Sequence, residues 1–361
     1  MISEASRRLF GAFPIEERRR QWHGEWLTHS YDRLAEAGML ELGNLPERDR
    51  EAAAHLSSFA IEIGRSCLAL PFVTSAVGAA FVLENCGNTD AARALRAGQH
   101  IEALAIAEAK GSLRGAFEPE TRVEAGRLTG IKSAVPFAKH AKALLVTARN
   151  ENNTLCLIHL DSERPGIEMH PLDTVSGEPI YEVWIDCEVG EDAVLAGGQN
   201  CTALLEGALL RMFLVQSAIL VGGAERALEI VTEHVIQRHQ FGQPLGAFQA
   251  VQHHIANSRT KLDAARLMTH ELAWRIGEGN PDLLAWAAET KMWVSTATCE
   301  ILRRAHELQG GISVTDEHET MLLLRRNLAD SVLFGSGQEL VRLCYPLRTI
   351  PPTVQPLFEA V

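Results

Sequence analysis

The chain has no CxxC pair, no glycine-rich phosphate loop, no excess of basic residues and no apolar run at its N-terminus. Each absence closes off a class. The seven cysteines are scattered and odd in number, so neither a zinc site nor a disulfide framework is expected, and a reducing cytoplasm fits best. Acidic residues outnumber basic ones by 46 to 34, for a net charge of -12, so neither a nucleic-acid groove nor an anionic membrane surface is expected as a partner. The opening MISEASRRLFGAFPIEERRR turns basic where a signal peptide would be apolar, and export is not expected. Without a Rossmann or P-loop pattern, any dinucleotide would have to be held by other means. The longest apolar stretch, Met212 to Ala224, contains Gln216 and is too short to span a bilayer; it reads as a buried core helix. No Glu-x-x-His pair occurs in the C-terminal helices, so His234, His239, His253 and His254 read as solvated or interface side chains and no metal is expected.

What is present is enough for two or three packed domains: 361 residues, 46% hydrophobic and 22% charged. Up to about residue 100 the sequence is rich in Ala, Leu, Glu and Arg, with apolar residues at three- and four-residue spacing, as in REAAAHLSSFAIEIGRSCLAL. Residues 101–200 change to short alternating or β-branched runs broken by turn residues: RLTGIKSAV, KALLVTAR, NTLCLIHL and IYEVWIDCEV. Residues 201–361 return to helical periodicity in four long pieces with short connections. The expected fold class is α+β. An all-helical N-terminal domain (1–100) leads to an antiparallel β-domain (101–200) and a C-terminal four-helix bundle (201–361).

Within the bundle, QRHQFGQPLGAFQAVQHHIA, starting at Gln237, joins a helix end to a new helix through Gly and Pro. Residue by residue it is an ordinary αα-hairpin, with Phe241 plugging the core and Arg238 complementing the helix dipole. Taken together the residues are more specific. Arg238 offers a bidentate fork to phosphate, and Gln249 can return to the same place at the start of the next helix.

This R-x-x-F-G-x-x-x-x-x-F-Q pattern resembles the acyl-CoA dehydrogenase superfamily, flavoenzymes that oxidise acyl-CoA thioesters. LTGIKSAV, HELQGGISVTDEH and RRNLADSVLFGSGQEL extend the resemblance over nearly the whole chain. TDEH, then LLLRRN and a closing LFG, are most similar to members that act on CoA thioesters of steroid side chains as two-gene heteromers. The resemblance implies FAD lying across a subunit interface. Arg238 and Phe241 would reach a neighbour's FAD together with Gly310 and Gly311, Gln249 would share their surface, and Ser336 and Gln338 would also touch cofactor. It implies as partners a catalytic acyl-CoA dehydrogenase subunit in an α2β2 assembly, an acyl-CoA substrate and an electron-transfer flavoprotein as acceptor.

Other positions depart from the family pattern. The glutamate that removes the α-proton falls at Phe334 or, in other members, at or next to Met212, between Arg211 and Phe213; neither site has a carboxylate. The flavin-facing loop reads AEAKGS, keeping Glu108 and Ser112 beside Ala107 and Ala109, and the family's tryptophan after the strand lysine is replaced where Lys132 is followed by Ser133 and Ala134. A pyrophosphate-side glutamine is Glu307. Glu206 and Glu339 are carboxylates out of register with the base positions, and Asp316, Glu317 and Glu319 read as structural. Arg325 and Arg326, like the run Arg18 to Arg20, read as solvated charge. No catalytic residue is therefore nominated here. The expectation is a base-lacking partner subunit; the alternatives are a self-sufficient dehydrogenase with a displaced base, or a scaffold or CoA-binding module without enzymatic activity.

Overall fold

The computed structural model describes residues 2–11, 13, 15–22, 28–46, 48–108, 112–279, 283–316 and 318–344. The N-terminal part is helical. It comprises α1 (Ile2–Gly11), α2 (Ile15–Trp22), α3 (Thr28–Glu36), α4 (Arg50–Ser66), a buried π-helical turn (Phe72–Ala79) running into α5 (Ala80–Asn85), and α6 (Thr89–Arg96). Helix α4 begins where the Asp49 carboxylate accepts the Ala52 N–H at 2.9 Å, and it ends where Cys67 turns left-handed. Between these caps its apolar spacing buries Leu56, Phe59, Ala60 and Ile63.

The middle of the chain forms β1 (Glu102–Ala105), a one-turn α7 (Arg114–Phe117), β2 (Arg122–Glu124), β3 (Arg127–Pro136), β4 (Ala143–Arg149), β5 (Leu155–Asp161), β6 (Ile167–Leu172), β7 (Ile180–Glu188) and β8 (Val194–Gly197). The sheet runs β6-β7-β3-β2-β4-β5-β8, with β1 joined to β4. It is not wholly antiparallel as expected. β1 lies parallel to β4, Glu102 opposite Ala143 through Ala105 opposite Val146, because the intervening segment crosses over before β4 returns. The expected strands are β3, β4, β5 and β7. β6 had no sequence signal: it contains Pro171, which a strand tolerates at the sheet edge that β6 occupies.

The C-terminal part is α8 (Gly198–Gln237), the hairpin strands β9 (His239–Gln240) and β10 (Gln243–Pro244), α9 (Gln249–Glu278), α10 (Leu283–Gln309), α11 (Glu319–Val332) and α12 (Gly337–Cys344). The fourth helix of the expected bundle, read near MLLLRRNLADSVLF, is the 14-residue α11. By length and composition α8 could cross a membrane, yet every residue from Met212 to Ala224 is buried in the protein, as a core helix should be. Helix α4 from the N-terminal part packs on α8 through paired glycines. A Cβ on Gly64 would lie 1.9 Å from the Ile219 oxygen, and one on Gly222 would lie 1.9 Å from the Ile61 oxygen. The two helical regions thus share a core.

Two charge readings are corrected. Arg326 is not solvated: its side chain is 13% exposed, with Nε 2.8 Å from Asp330 and Nη2 3.2 Å from the buried Glu178. Arg18 likewise turns inward to Glu319 at 3.2 Å, leaving Arg20 as the exposed member of its run. Long side chains near element junctions can reach partners far along the chain, which one-dimensional reading misses.

Candidate functional site

The helix end that carries the motif is built locally. Arg238 is the C-cap of α8, its N–H donating to the His234 oxygen, which agrees with a charge placed to complement the dipole. The chain then makes a two-residue hairpin, with Gln243 opposite Gln240 and Pro244 opposite His239. Phe241 (φ +55°) and Gly242 (φ +81°) form its tip, both left-handed, as the twist of a tight hairpin demands. A phenylalanine in that conformation is unusual. The core-plug reading of Phe241 fails, because Phe241 is 89% exposed, its ring in a T-shaped contact with Phe248 at 6.2 Å between centroids. Gln249 opens α9 beside it, exposed, and the N-cap residue Phe248 has no side chain able to satisfy the first N–H groups of that helix.

Because α8 runs toward this end of the bundle, α9 leaves it and α10 returns, the Gly-Gly turn arrives at the same end. Gly310 has φ +69°, and nothing lies within 4 Å of where a Cβ would stand on Gly310 or Gly311. Ile236, Ile312 and Val314 add exposed apolar surface. Just beneath, Gln309 is buried with neither amide atom partnered. Glu307, where a glutamine was expected, is exposed and ion-paired with Arg304 of its own helix, which relieves the repulsion that an unpaired carboxylate would offer a phosphate. Among the described residues, no ion pair involves the exposed Arg238 guanidinium.

Ser336 and Gln338 lie elsewhere. Ser336 is the residue before α12, in the turn after α11, where Lys291 Nζ reaches the Ser331 and Gly335 oxygens at 3.2 Å each. Eighteen residues of α10 separate Lys291 from Gln309, about 27 Å of helix. The seven nominated residues therefore form two groups, and they cannot close on a single pyrophosphate.

The two positions at which the resemblance implied a base are filled by packing. Phe334 is 7% exposed with φ +60°, followed by Gly335 at φ +114°. Met212 is fully buried, its sulfur and Leu104 standing where a Cβ on Gly78 would collide. Beside it the Arg211 guanidinium donates to the Leu45 oxygen at 3.1 Å and lies 3.9 Å from the Phe81 ring centre. Of the displaced carboxylates, Glu206 is half-buried, and burial pushes its carboxyl above the ordinary value. Glu319 is structural, joining Arg18 to Arg226. Asp316 is exposed, and Glu317 and Ala109 lie outside the described residues.

The β-layer side is held by a buried charge network. Glu108 Oε1 accepts from Lys132 Nζ at 2.5 Å and from Thr121 Oγ1 at 2.6 Å; Oε2 accepts from the Glu120 N–H at 2.6 Å. Lys132 also donates to Thr147 Oγ1 at 3.0 Å. Burial lowers the Lys132 ammonium to about 8 despite the attraction of Glu108. Next to it the β3–β7 register shifts between Lys132 and Val135, and Ala134 takes φ +52°.

The sequence reading missed one arrangement at this level. Glu339 accepts from Ser336 N–H at 3.0 Å and from Leu113 N–H at 3.1 Å, bridging the bundle turn to the loop that carries Ser112. Burial alone would raise its carboxyl, but these donors outweigh it and hold the group below the usual carboxylate range. The Ser-x-x-Glu spacing of Ser336 and Glu339, a helix-capping signature, was the available signal.

A dinucleotide's phosphate and adenine side fits the hairpin end, which offers an exposed guanidinium with no ion pair among the described residues, uncapped helix N–H groups, an exposed aromatic and an open glycine turn. The ring side does not fit in the same way. There the base sites hold buried Phe334 and Met212, and the neighbouring donors are already engaged by Glu339.

Residues 205–343 match the family described as acyl-CoA dehydrogenase, C-terminal domain. Among curated relatives, the probable acyl-CoA dehydrogenase YdiO of Escherichia coli is 28% identical over 198 residues, 53% of this chain and 51% of that protein. The chain thus spans about half the length of the first curated relatives it matches. Among solved structures, the ChsE4-ChsE5 complex from Mycobacterium tuberculosis has a TM-score of 0.84 at 21% identity, covering 97% of both chains. A variant of the steroid ACAD Tcur3481-Tcur3483 has a TM-score of 0.83 at 24% identity, covering 96% of both. These two likenesses establish the fold over the whole length. Residues 205–343 thus match the acyl-CoA dehydrogenase C-terminal domain, and the chain as a whole has the fold of these two structures.

Proposed function

We propose that this chain is the base-lacking subunit of a FAD-dependent acyl-CoA dehydrogenase that introduces an α,β double bond into an acyl-CoA thioester. Its role is to complete the FAD site of a catalytic partner subunit, in an α2β2 assembly with electron-transfer flavoprotein as the acceptor. Steroid side-chain CoA is the proposed substrate class. Two similar structures bear on this: the ChsE4-ChsE5 complex and the steroid ACAD Tcur3481-Tcur3483.

The observation that carries the reading is the contrast between the two groups of residues. At the hairpin end the chain holds Phe241 in solvent in a left-handed conformation, beside an arginine that makes no ion pair among the described residues. Nothing in its own fold repays that arrangement, as it would be repaid by a ligand seated against a neighbouring subunit. At the other end a general base is missing from both positions, and phenylalanine and methionine accept no proton. FAD, when bound, supplies the hydride acceptor. This chain's contribution is to grip and orient: Arg238 forks onto phosphate, Phe241 covers an aromatic face, and the Gly310–Gly311 turn allows close backbone approach.

The test is co-expression with a catalytic partner, co-purification, and absorbance at flavin wavelengths. The complex should be yellow, the isolated chain colourless, and Arg238→Ala should lower FAD affinity about 10- to 100-fold, the worth of a charge-assisted contact. Full FAD content and turnover in the Arg238→Ala complex would end the proposal.

A further inference from the structure

Three arginines that the sequence would leave in solvent meet instead around one small cavity. Arg18 of α2 and Arg325 and Arg326 of α11 line it, together with Gln21 of α2, Cys67 at the end of α4 and Ser176 from the connection between β6 and β7. Its volume is about 10 Å³, room for roughly one water-sized sphere. Among the described residues, no carboxylate lines it.

Two donors on the residues of this cavity have no acceptor among the described residues. Gln21 is 3% exposed, and its amide takes the Ala69 N–H at 2.9 Å. A backbone N–H only donates, so the atom it meets is the oxygen, and Nε2 is left buried and unpartnered. Arg18 stands three residues earlier on the same face of α2. Its Nη1 reaches Glu319 at 3.2 Å and its Nη2 the Phe13 oxygen at 3.5 Å, while Nε is buried without a partner. A buried, unpaired N–H is costly, and two on one helix face call for a shared acceptor. Charge points the same way. Glu319, the counter-ion of Arg18, is shared with Arg226, which holds both its oxygens at 2.8 and 3.2 Å. Arg326 faces Asp330 and Glu178, and burial pushes the Glu178 carboxyl up, weakening it as a counter-ion. The Cys67 thiol supplies no charge, since burial pushes it up to about 12.

We propose that this cavity is a binding site for one small anion of halide size, such as chloride. The anion accepts from Gln21 Nε2 and Arg18 Nε and lies in the field of three guanidinium groups. A water would accept from the same donors but would bring two hydrogens of its own that need acceptors. Phosphate, sulfate and carboxylates are too large for the space. The bound ion ties α2, the end of α4, the β6–β7 connection and α11 into one junction. The site shares no residue with the hairpin end that carries Arg238, and it does not depend on the functional reading above.

The experiment follows thermal unfolding of the full chain as sodium chloride replaces sodium gluconate at constant ionic strength, for wild type, Gln21→Glu and Gln21→Leu. Bromide is then located in a crystal by its anomalous scattering. The wild-type Tm should rise by about 3 °C once chloride exceeds its dissociation constant about 100-fold. Gln21→Glu keeps the acceptor for the Ala69 N–H and places an anion of its own in the cavity. It should be indifferent to chloride, and it carries the test if Gln21→Leu fails to fold. Gln21→Leu should bind chloride at least about tenfold more weakly. Bromide should sit between Arg18 and Gln21. A wild-type Tm that chloride leaves unmoved, an equal rise in all three proteins, or a cavity that holds only water in the presence of bromide would each overturn the proposal.

Discussion

Replacing Lys132 with methionine tests whether the β-layer wall is held by charge. The Lys132 side chain is fully buried, and its ammonium lies 2.5 Å from Glu108 and 3.0 Å from Thr147. Methionine is of similar length and removes the charge. Glu108 would keep Thr121 Oγ1 at 2.6 Å, Thr121 N–H at 3.2 Å and Glu120 N–H at 2.6 Å, but would lose its counter-ion. Removing one partner of a buried pair costs about 3–5 kcal/mol, and the three remaining donors place the expectation near the lower end. In a chain of this size that is a fall in Tm of roughly 4–7 °C.

The pH dependence gives the sharper test. In wild type, burial pushes the Glu108 carboxyl up, but Lys132 and Thr121 outweigh it and hold it below its ordinary 4.5. Its contribution is therefore present above the unfolded value and is lost as pH falls through the folded one. In the variant only Thr121 and the Glu120 N–H still oppose burial, the largest influence on this carboxyl, and the folded value rises above the unfolded one. Stability then falls as pH climbs through that window. The gap between the two proteins should be smaller at pH 4.5 than at pH 7, which stays below the Lys132 titration at about 8. Adding Glu108→Gln should recover at least half of the loss. Thermal or urea unfolding at the two pH values would refute the reasoning if the gap at pH 7 were under about 1 kcal/mol, or equal at both.

Two further outcomes are expected. Gly222→Ala places a methyl 1.9 Å from the Ile61 oxygen, where backbone must give way, so a loss of about 3 kcal/mol or more should appear in urea unfolding; a loss under 1 kcal/mol would mean that α4 and α8 do not cross so closely. Glu206→Gln should leave turnover of the assembled complex within about twofold, whereas a loss beyond about 100-fold would place the missing base in this chain.

The order of helices, β-layer and bundle was written in the sequence because helical and strand periodicities are local: a few neighbouring residues report which face is buried. The same holds for the Arg238–Gln249 spacing and for a phenylalanine at position 334, since both are matters of residue type and spacing. Only the tertiary structure decided that β1 lies parallel to β4, that Pro171 sits on an edge strand, and that Phe241 faces solvent instead of the core. It alone separated Ser336 and Gln338 from the hairpin end, buried Arg326 between Glu178 and Asp330, and brought Glu339 to Leu113. Each of these depends on what lies across a gap from a residue tens to hundreds of positions away, and no window along the chain contains both partners.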